Sequence, residues 1–176
     1  LSPVTVPNLG PTWTTPNATA LGNCLIHTPS EMVPRSANKV ADLVKEAGRT
    51  DGVFQVVHGG KDVVEAICDH SGIEAISFVG STKIAKLVYR RGTANLKRVL
   101  ALGGAKNHII VMPDADVEMT SSNVVASMSG CAGQWCMAAS VMMAVSDTDH
   151  IIARMNDQAK SVVPAKTSGP VLTAVT

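Results

Sequence analysis

The stretch Gly130-Cys131-Ala132-Gly133-Gln134-Trp135-Cys136-Met137-Ala138-Ala139 presents one cysteine, Cys136, from a run of small residues just ahead of the apolar segment Val141 to Val145. Small residues let a backbone or a ligand approach closely. A thiol held there can act as a nucleophile toward something bound against the main chain. Taken alone, a cysteine among Ala, Met and Gly suits core filling better than nucleophilic chemistry. A second candidate is Gly80-Ser81-Thr82, a glycine and two hydroxyls where a helix begins. Backbone N–H groups and the helix dipole at such a start suit a phosphate. Simple N-capping by Ser81 or Thr82 explains the same residues without a ligand, and neither G-x-G-x-x-G nor G-x-x-x-x-G-K-[ST] occurs in the chain. The five histidines and four cysteines show no metal-ligand spacing and no C-x-x-C pair, so the thiols read as reduced. Cys68-Asp69-His70 reads as a helix end.

These residues need elements to hold them. Gly22 to Ile26 is expected as a buried strand, Pro34 to Ala47 as a helix with Val40, Leu43, Val44 and Ala47 on one face, and Gly48 as its stop. Strands follow at Phe54 to Val57 and Ala75 to Val79, with a short helix at Asp62 to Asp69 between them. A helix runs from Gly80-Ser81-Thr82 to about Arg91, ended by Gly92. Such alternation predicts a parallel sheet with crossover helices. Further strands are expected at Arg98 to Leu102, Asn107 to Met112 and Ser140 to Val145, and helices at Val117 to about Met128 and Asp149 to Val162. Residues 1–20 carry Pro3, Pro7, Pro11 and Pro16, a spacing that predicts an extended loop with at most short helical turns. The loops His27 to Glu31, His58 to Lys61 and Gly80 to Thr82 then lie at carboxyl ends of strands, where open parallel sheets bind ligands. Lys83, Lys86, Arg90, Arg91, Lys97 and Arg98 read as a solvated face. Asp114 and Asp116 complement the dipole of the helix they precede.

Apolar residues make up 45% of the 176, enough for a core, while the net charge is only +1 and aromatics are 3%. That balance argues against nucleic acid or an anionic membrane as partner, and no apolar run nears the length of a membrane span. The chain opens on Leu1 without a signal-like segment, as expected of a processed chain or a piece of a longer one. Its end, Gly169 to Thr176, stops mid-pattern.

Taken together, the segments resemble the aldehyde dehydrogenases, in particular the CoA-acylating methylmalonate-semialdehyde branch. The matching motifs are Gly22-Asn23, Pro29-Ser30-Glu31, Ile76-Ser77-Phe78-Val79-Gly80-Ser81, Gly103-Gly104-Ala105-Lys106-Asn107-His108, Pro113-Asp114-Ala115-Asp116, and Gly133-Gln134 with Cys136-Met137-Ala138. They keep the family's order from Leu1 to about Asp147, and Lys106-Asn107-His108 points to the branch. The resemblance implies an α/β fold: a parallel Rossmann-type sheet with flanking helices, plus the start of a second α/β catalytic domain. Residues 1–102 are expected as the later part of the NAD-binding domain and 103–176 as the first part of the catalytic domain.

The chemistry that the resemblance implies is thiolate addition to an aldehyde, loss of hydride to NAD, and a thioester that CoA then accepts. Cys136 matches the nucleophile. The glutamate that activates water in hydrolytic relatives aligns with Ala101, an absence typical of the acylating branch. Val4, Glu31, Gly80, Ser81 and Gly103 match cofactor-binding positions, as does Thr28, where a ribose-contacting lysine of the family stands. The oxyanion-hole asparagine aligns with Thr5, whose hydroxyl donates but reaches less far. An arginine that holds the substrate carboxylate aligns with Trp135, which cannot pair with one. The implied partners are a small aldehyde, CoA and further copies of the chain. The implied location is a bacterial cytoplasm or a mitochondrial matrix, without secretion. The departures at Thr5, Thr28 and Trp135 support a second hypothesis, a truncated non-catalytic homologue that acts as a binding or assembly module.

Overall fold

The computed structural model describes residues 1–164 and 171–172, and the chain divides into two compact units, Leu1–Gly104 and Ala105–Thr176. In the first unit the elements run α1 (Leu9–Ala20), β1 (Leu25–His27), α2 (Pro34–Glu46), β2 (Phe54–Val56), α3 (Lys61–Asp69), β3 (Ala75–Val79), α4 (Thr82–Ala94) and β4 (Arg98–Leu102). β1 pairs in parallel with β2, and β3 with β4 in the register Ala75↔Arg98 to Val79↔Leu102. Parallel neighbours need a crossover, and α2 and α4 supply it. The alternation expected from sequence is therefore present; α3 and α4 bury apolar residues against the strands, while Leu43 on the apolar face of α2 stays exposed. The core gathers Cys68 of α3, Ile76 and Phe78 of β3, and Ala85 and Val88 of α4.

The strand expected over Gly22 to Ile26 is only β1, with Ile26 exposed rather than buried, and three further local features depart from the sequence reading. First, Leu9–Ala20 is a helix, not an extended loop. Pro11 falls in the first turn, where its missing N–H would have no partner in any case. Pro16 costs a single internal hydrogen bond. The threonine hydroxyls bond back into the helix: Thr12 Oγ1 donates to Leu9 O at 3.0 Å and Thr19 Oγ1 to Thr15 O at 2.8 Å.

Second, α4 runs through Gly92 to Ala94. A Cβ on Gly92 would lie 2.6 Å from Val99 Cγ2 and 3.2 Å from Ile76 Cδ1. The glycine lets the helix press onto β3 and β4; it does not stop it. The exit uses Leu96 at φ 59°.

Third, Lys97 leaves the expected solvated face. It is 8% exposed, and its ammonium donates to His70 O and Ile73 O, both at 2.6 Å. Charge-assisted bonds to two carbonyls offset the desolvation of a buried lysine. Arg91 is likewise engaged, with Glu65 at 2.7 Å and Asp69 at 2.6 Å.

The second unit comprises β5 (Asn107–Val111), α5 (Val117–Ser129), a tight 3-10 turn (Gly130–Gly133), β6 (Ala139–Ala144), α6 (Asp149–Ala159), β7 (Val163–Pro164) and β8 (Val171–Leu172). β5 and β6 are parallel, with a register slip between Asn107 and His108. Asp116 caps α5 by accepting from Met119 N at 2.8 Å, which anchors the carboxylate where the dipole argument put it. Val111, Val124 and Ile151 form the core of this unit, and Arg154 clasps Glu118 across α6 and α5 at 2.7 Å. The short pair β7–β8 carries too few residues to show a strand period. Apart from Val171 and Leu172, the closing stretch read as stopping mid-pattern lies outside the described residues. Among the described residues, no helix is long and apolar enough to cross a membrane, and no group of three His, Cys, Asp or Glu could hold a metal ion.

Candidate active site

Cys136 sits between the 3-10 turn and β6, half-buried and unpaired with any other cysteine. The approach to it is strained. Cys131 (φ 48°), Ala132 (φ 54°) and Gly133 (φ 75°) occupy the left-handed region in succession, a conformation that costs a non-glycine residue about 1 kcal/mol or more. Such a run persists only when surrounding bonds over-determine it. Those bonds are present. Gln134 N donates to Cys131 O at 3.0 Å and Ala138 N to Trp135 O at 3.1 Å. The Trp135 indole donates to Ser127 O at 3.2 Å, and Ala139 N donates to Ser127 Oγ at 3.2 Å. A Cβ on Gly130 would lie 2.7 Å from Trp135 Cζ2, so that glycine gives the ring its seat. Asn107, the first residue of β5, donates from one side-chain amide to Cys136 O at 2.6 Å and to Ala138 O at 3.1 Å. The cysteine is thus presented from a loop fixed through its carbonyls and its neighbours. Trp135 is held against α5 and supplies no charge beside the thiol.

The cofactor positions matched from sequence all lie in the first unit. Val79 N donates to Leu1 O at 3.2 Å and Ser2 N to Thr28 O at 3.1 Å, so the opening residues cross the carboxyl ends of β3 and β1. Val4 and Thr5 follow at once, both half-buried. Thr28 is 3% exposed, and its hydroxyl has no partner among the described residues. His27 beside it is equally buried, stacks on Phe54 with ring centroids 6.3 Å apart, and shares a hydrogen bond with Ser2 Oγ at 3.2 Å. Burial, reinforced by the positive charges of the Leu1 amine and His58, pushes the His27 imidazole down to about 4. Glu31 is exposed, and its Oε1 lies 3.8 Å from where a Cβ on Gly60 would stand. The loops after β1 and β2 therefore converge.

The third loop at a strand end begins α4. Gly80 N bonds Leu102 O at 3.1 Å, and a Cβ there would strike the Phe78 ring at 2.6 Å. Ser81 stands at the N-cap position but makes no cap bond. Thr82 Oγ1 accepts from Gly104 N at 2.9 Å, and a Cβ on Gly103 would lie 3.1 Å from Thr82 Cα. Gly80, Ser81 and Gly103 are thereby brought together, while Thr28 follows β1 and its carbonyl accepts from Ser2 N. Simple capping does not account for Ser81 and Thr82, since neither hydroxyl caps the helix. Ala101 packs against the core cluster of the first unit. The sequence reading used Asn107 as a branch motif without giving it a role at the thiol loop, and it passed over Ser127. An asparagine opening a strand, where that residue is disfavoured, was the available signal.

A family of thiol-bearing α/β proteins is defined by these features together, and comparison identifies it. The chain belongs to the aldehyde dehydrogenase family, whose model matches residues 1–174. Within it the chain is closely related to the malonate- and methylmalonate-semialdehyde dehydrogenases. It is 47% identical over 163 residues to malonate-semialdehyde dehydrogenase 1 of Geobacillus kaustophilus, covering 93% of this chain and 33% of that one. The crystal structure of the Oceanimonas doudoroffii methylmalonate-semialdehyde dehydrogenase superposes with a TM-score of 0.85 at 44% identity, covering 96% of this chain and 35% of that one. A Sinorhizobium meliloti structure described as a methylmalonate-semialdehyde dehydrogenase, complexed with NAD, gives 0.83 at 40% identity, covering 90% of this chain and 33% of that one. The chain spans about a third of the length of the curated relatives it matches. Its α/β architecture of parallel strands and flanking helices is that of the family.

Proposed function

We propose that the protein to which this chain belongs oxidises an aldehyde or semialdehyde with NAD through a thioester on Cys136, and passes the acyl group to CoA. The observation that carries this reading is the clamped, strained loop that presents Cys136, the residue that motif order matches to the family's nucleophile. Residues 1–102 then form the later part of the NAD-binding domain, and 103–176 open the catalytic domain.

The residues fit the cofactor in kind. Glu31 offers a carboxylate suited to ribose hydroxyls. Gly80 and Ser81 lead into α4, whose first N–H groups have no side-chain cap, a start suited to a diphosphate. Val4, Thr28 and Gly103 complete the set that would hold it. NAD supplies the hydride acceptor when bound. The chain's own residues do the rest. The Cys136 thiolate attacks the carbonyl carbon, and the oxygen takes up the negative charge. Among the described residues the Cys136 N–H has no acceptor, which leaves it free to donate to that oxyanion; Thr5 is the residue that the resemblance aligns with the family's oxyanion-hole asparagine. With Ala101 at the glutamate position, no carboxylate there activates water. The thioester therefore waits for a thiol, the chemistry of acyl transfer to CoA. The lost arginine at Trp135 shifts preference away from a carboxylated aldehyde. Self-association of the whole protein and a cytoplasmic or matrix location accompany this reading.

A specific observation also favours a non-catalytic homologue: the Thr28 side chain is buried without a partner instead of offering a charge to the ribose. One experiment separates the two. On mixing with NAD and a short aldehyde at enzyme-level concentration, NADH is expected to rise in a burst of about one equivalent, then to turn over only after CoA is added. A flat trace from folded protein in both conditions would overturn catalysis and leave the binding module.

A further inference from the structure

We propose that Asn107 is the positioning residue of the Cys136 thiol, acting through the backbone on either side of it. The inference rests on the reading of Cys136 as nucleophile. One amide nitrogen carries two N–H bonds. In Asn107 they go to two carbonyls that flank Met137: Cys136 O at 2.6 Å and Ala138 O at 3.1 Å. Both acceptors are main chain, so the contact fixes the peptide plane that follows Cys136.

The place of Asn107 in the sheet explains why a side chain does this work. β5 and β6 are in regular register from His108↔Val141 onward, but Asn107 pairs with Ala139, and Ser140 is left over at the slip. A bulge of this kind interrupts the ladder and leaves main-chain groups without strand partners. The Asn107 amide takes up two carbonyls just ahead of β6, those of Cys136 and Ala138, while Ser140 Oγ donates to Asn107 O at 3.4 Å. The asparagine is held by its own backbone and in turn holds the thiol loop. The opposite end of the loop is the left-handed run at Cys131, Ala132 and Gly133. A strained segment relaxes when a restraint is removed. Without the amide, the Cys136–Met137 peptide is free to rotate, and the Cα–Cβ bond of Cys136 loses its fixed direction. Attack on a carbonyl needs that direction, since a misplacement of about 1 Å costs about a hundredfold in rate. Alkylation by a small, freely diffusing reagent needs only access.

The two reactions are therefore expected to move in opposite directions. The full chain is compared as wild type, Asn107→Ala and Asn107→Ser, the last retaining one donor. Each is followed by the NADH burst rate at saturating aldehyde and by the iodoacetamide alkylation rate of Cys136 across pH. Cys24, exposed in the same chain, serves as internal reference. Asn107→Ala is expected to slow the burst about a hundredfold with little change in KM. Its Cys136 alkylation plateau should rise about threefold relative to Cys24 as the loop opens. Asn107→Ser should fall between, and it carries the test should the alanine variant fail to fold. Burst and alkylation both unchanged, or both reduced together, would overturn the proposal. A wild type without any burst would instead overturn the nucleophile reading. The Cys136-to-Cys24 alkylation ratio then still tests Asn107, and an unaltered ratio in Asn107→Ala refutes it.

Discussion

Cys136→Ser is expected to lower aldehyde-dependent NADH formation at least a thousandfold, about 4 kcal/mol in the barrier, and to leave the fold intact. A serine hydroxyl at neutral pH is almost wholly protonated, and among the described residues no histidine or carboxylate is bonded to Cys136 to activate it. The contacts that shape the loop survive the change. Asn107 holds the Cys136 carbonyl, the Trp135 indole holds Ser127 O, and Ala138 N holds Trp135 O. None of them uses the sulfur. The thermal midpoint should therefore move by no more than about 2 °C. Cys131→Ser is the matched control. Cys131 lies in the same loop and is likewise half-buried, but it precedes the clamp and should keep activity within about threefold. Retained NADH formation in Cys136→Ser, or its loss in Cys131→Ser alone, would move the chemistry to a different residue.

Acid should destabilise the first unit through His27. The imidazole is buried against Phe54 and its proton affinity is pushed down to about 4, chiefly by desolvation. Above about pH 6.5 neither the folded nor the unfolded chain carries a proton there, and His27 contributes no pH dependence. Between 6.5 and about 4 the unfolded chain takes up the proton and the folded one does not, so stability falls as pH falls. Below about 4 both are protonated and the effect levels off. The full drop is about 3 kcal/mol. Denaturant midpoints measured from pH 7.5 to 4 should show it, and His27→Leu should flatten that segment of the curve. An identical slope in the leucine variant would assign the acid sensitivity elsewhere.

Much of the architecture was readable before any coordinates. The strands Ala75–Val79 and Arg98–Leu102 fall where the apolar runs put them; the first buries Ile76 and Phe78, while Leu100 and Leu102 of the second remain exposed. The helix Pro34–Glu46 was legible from its proline at the start and its one apolar face. Local pattern failed where tertiary packing set the outcome. Gly92 reads as a helix stop but is the point at which α4 touches Val99 and Ile76. Lys97 reads as surface, yet two carbonyls from the segment after α3 draw it inside. The prolines of residues 1–20 weigh against a helix until their positions within the turn are counted.

The site divides in the same way. Cys136, Glu31, Gly80 and Ser81 enter the candidate site through motif order, which carries the family resemblance. Asn107 and Ser127 hold the thiol loop from 29 and 12 positions away, and a bond between a side chain and a distant carbonyl leaves no period in a sequence. Thr28 illustrates the converse. Its identity as a departure from the family's lysine was evident, but only the fold reveals that its hydroxyl is buried without a partner.

The claim at the centre is a covalent one, and mass spectrometry of the Cys136 peptide tests it most directly. The protein is quenched in acid after brief exposure to NAD and a short aldehyde, with and without a chase of CoA. The expected result is an acyl group on Cys136 alone, its mass that of the aldehyde less one hydrogen replacing the thiol proton, and its disappearance after the chase with acyl-CoA formed in equal amount. An unmodified Cys136 while NADH accumulates, or an adduct on Cys131 in its place, would contradict the account.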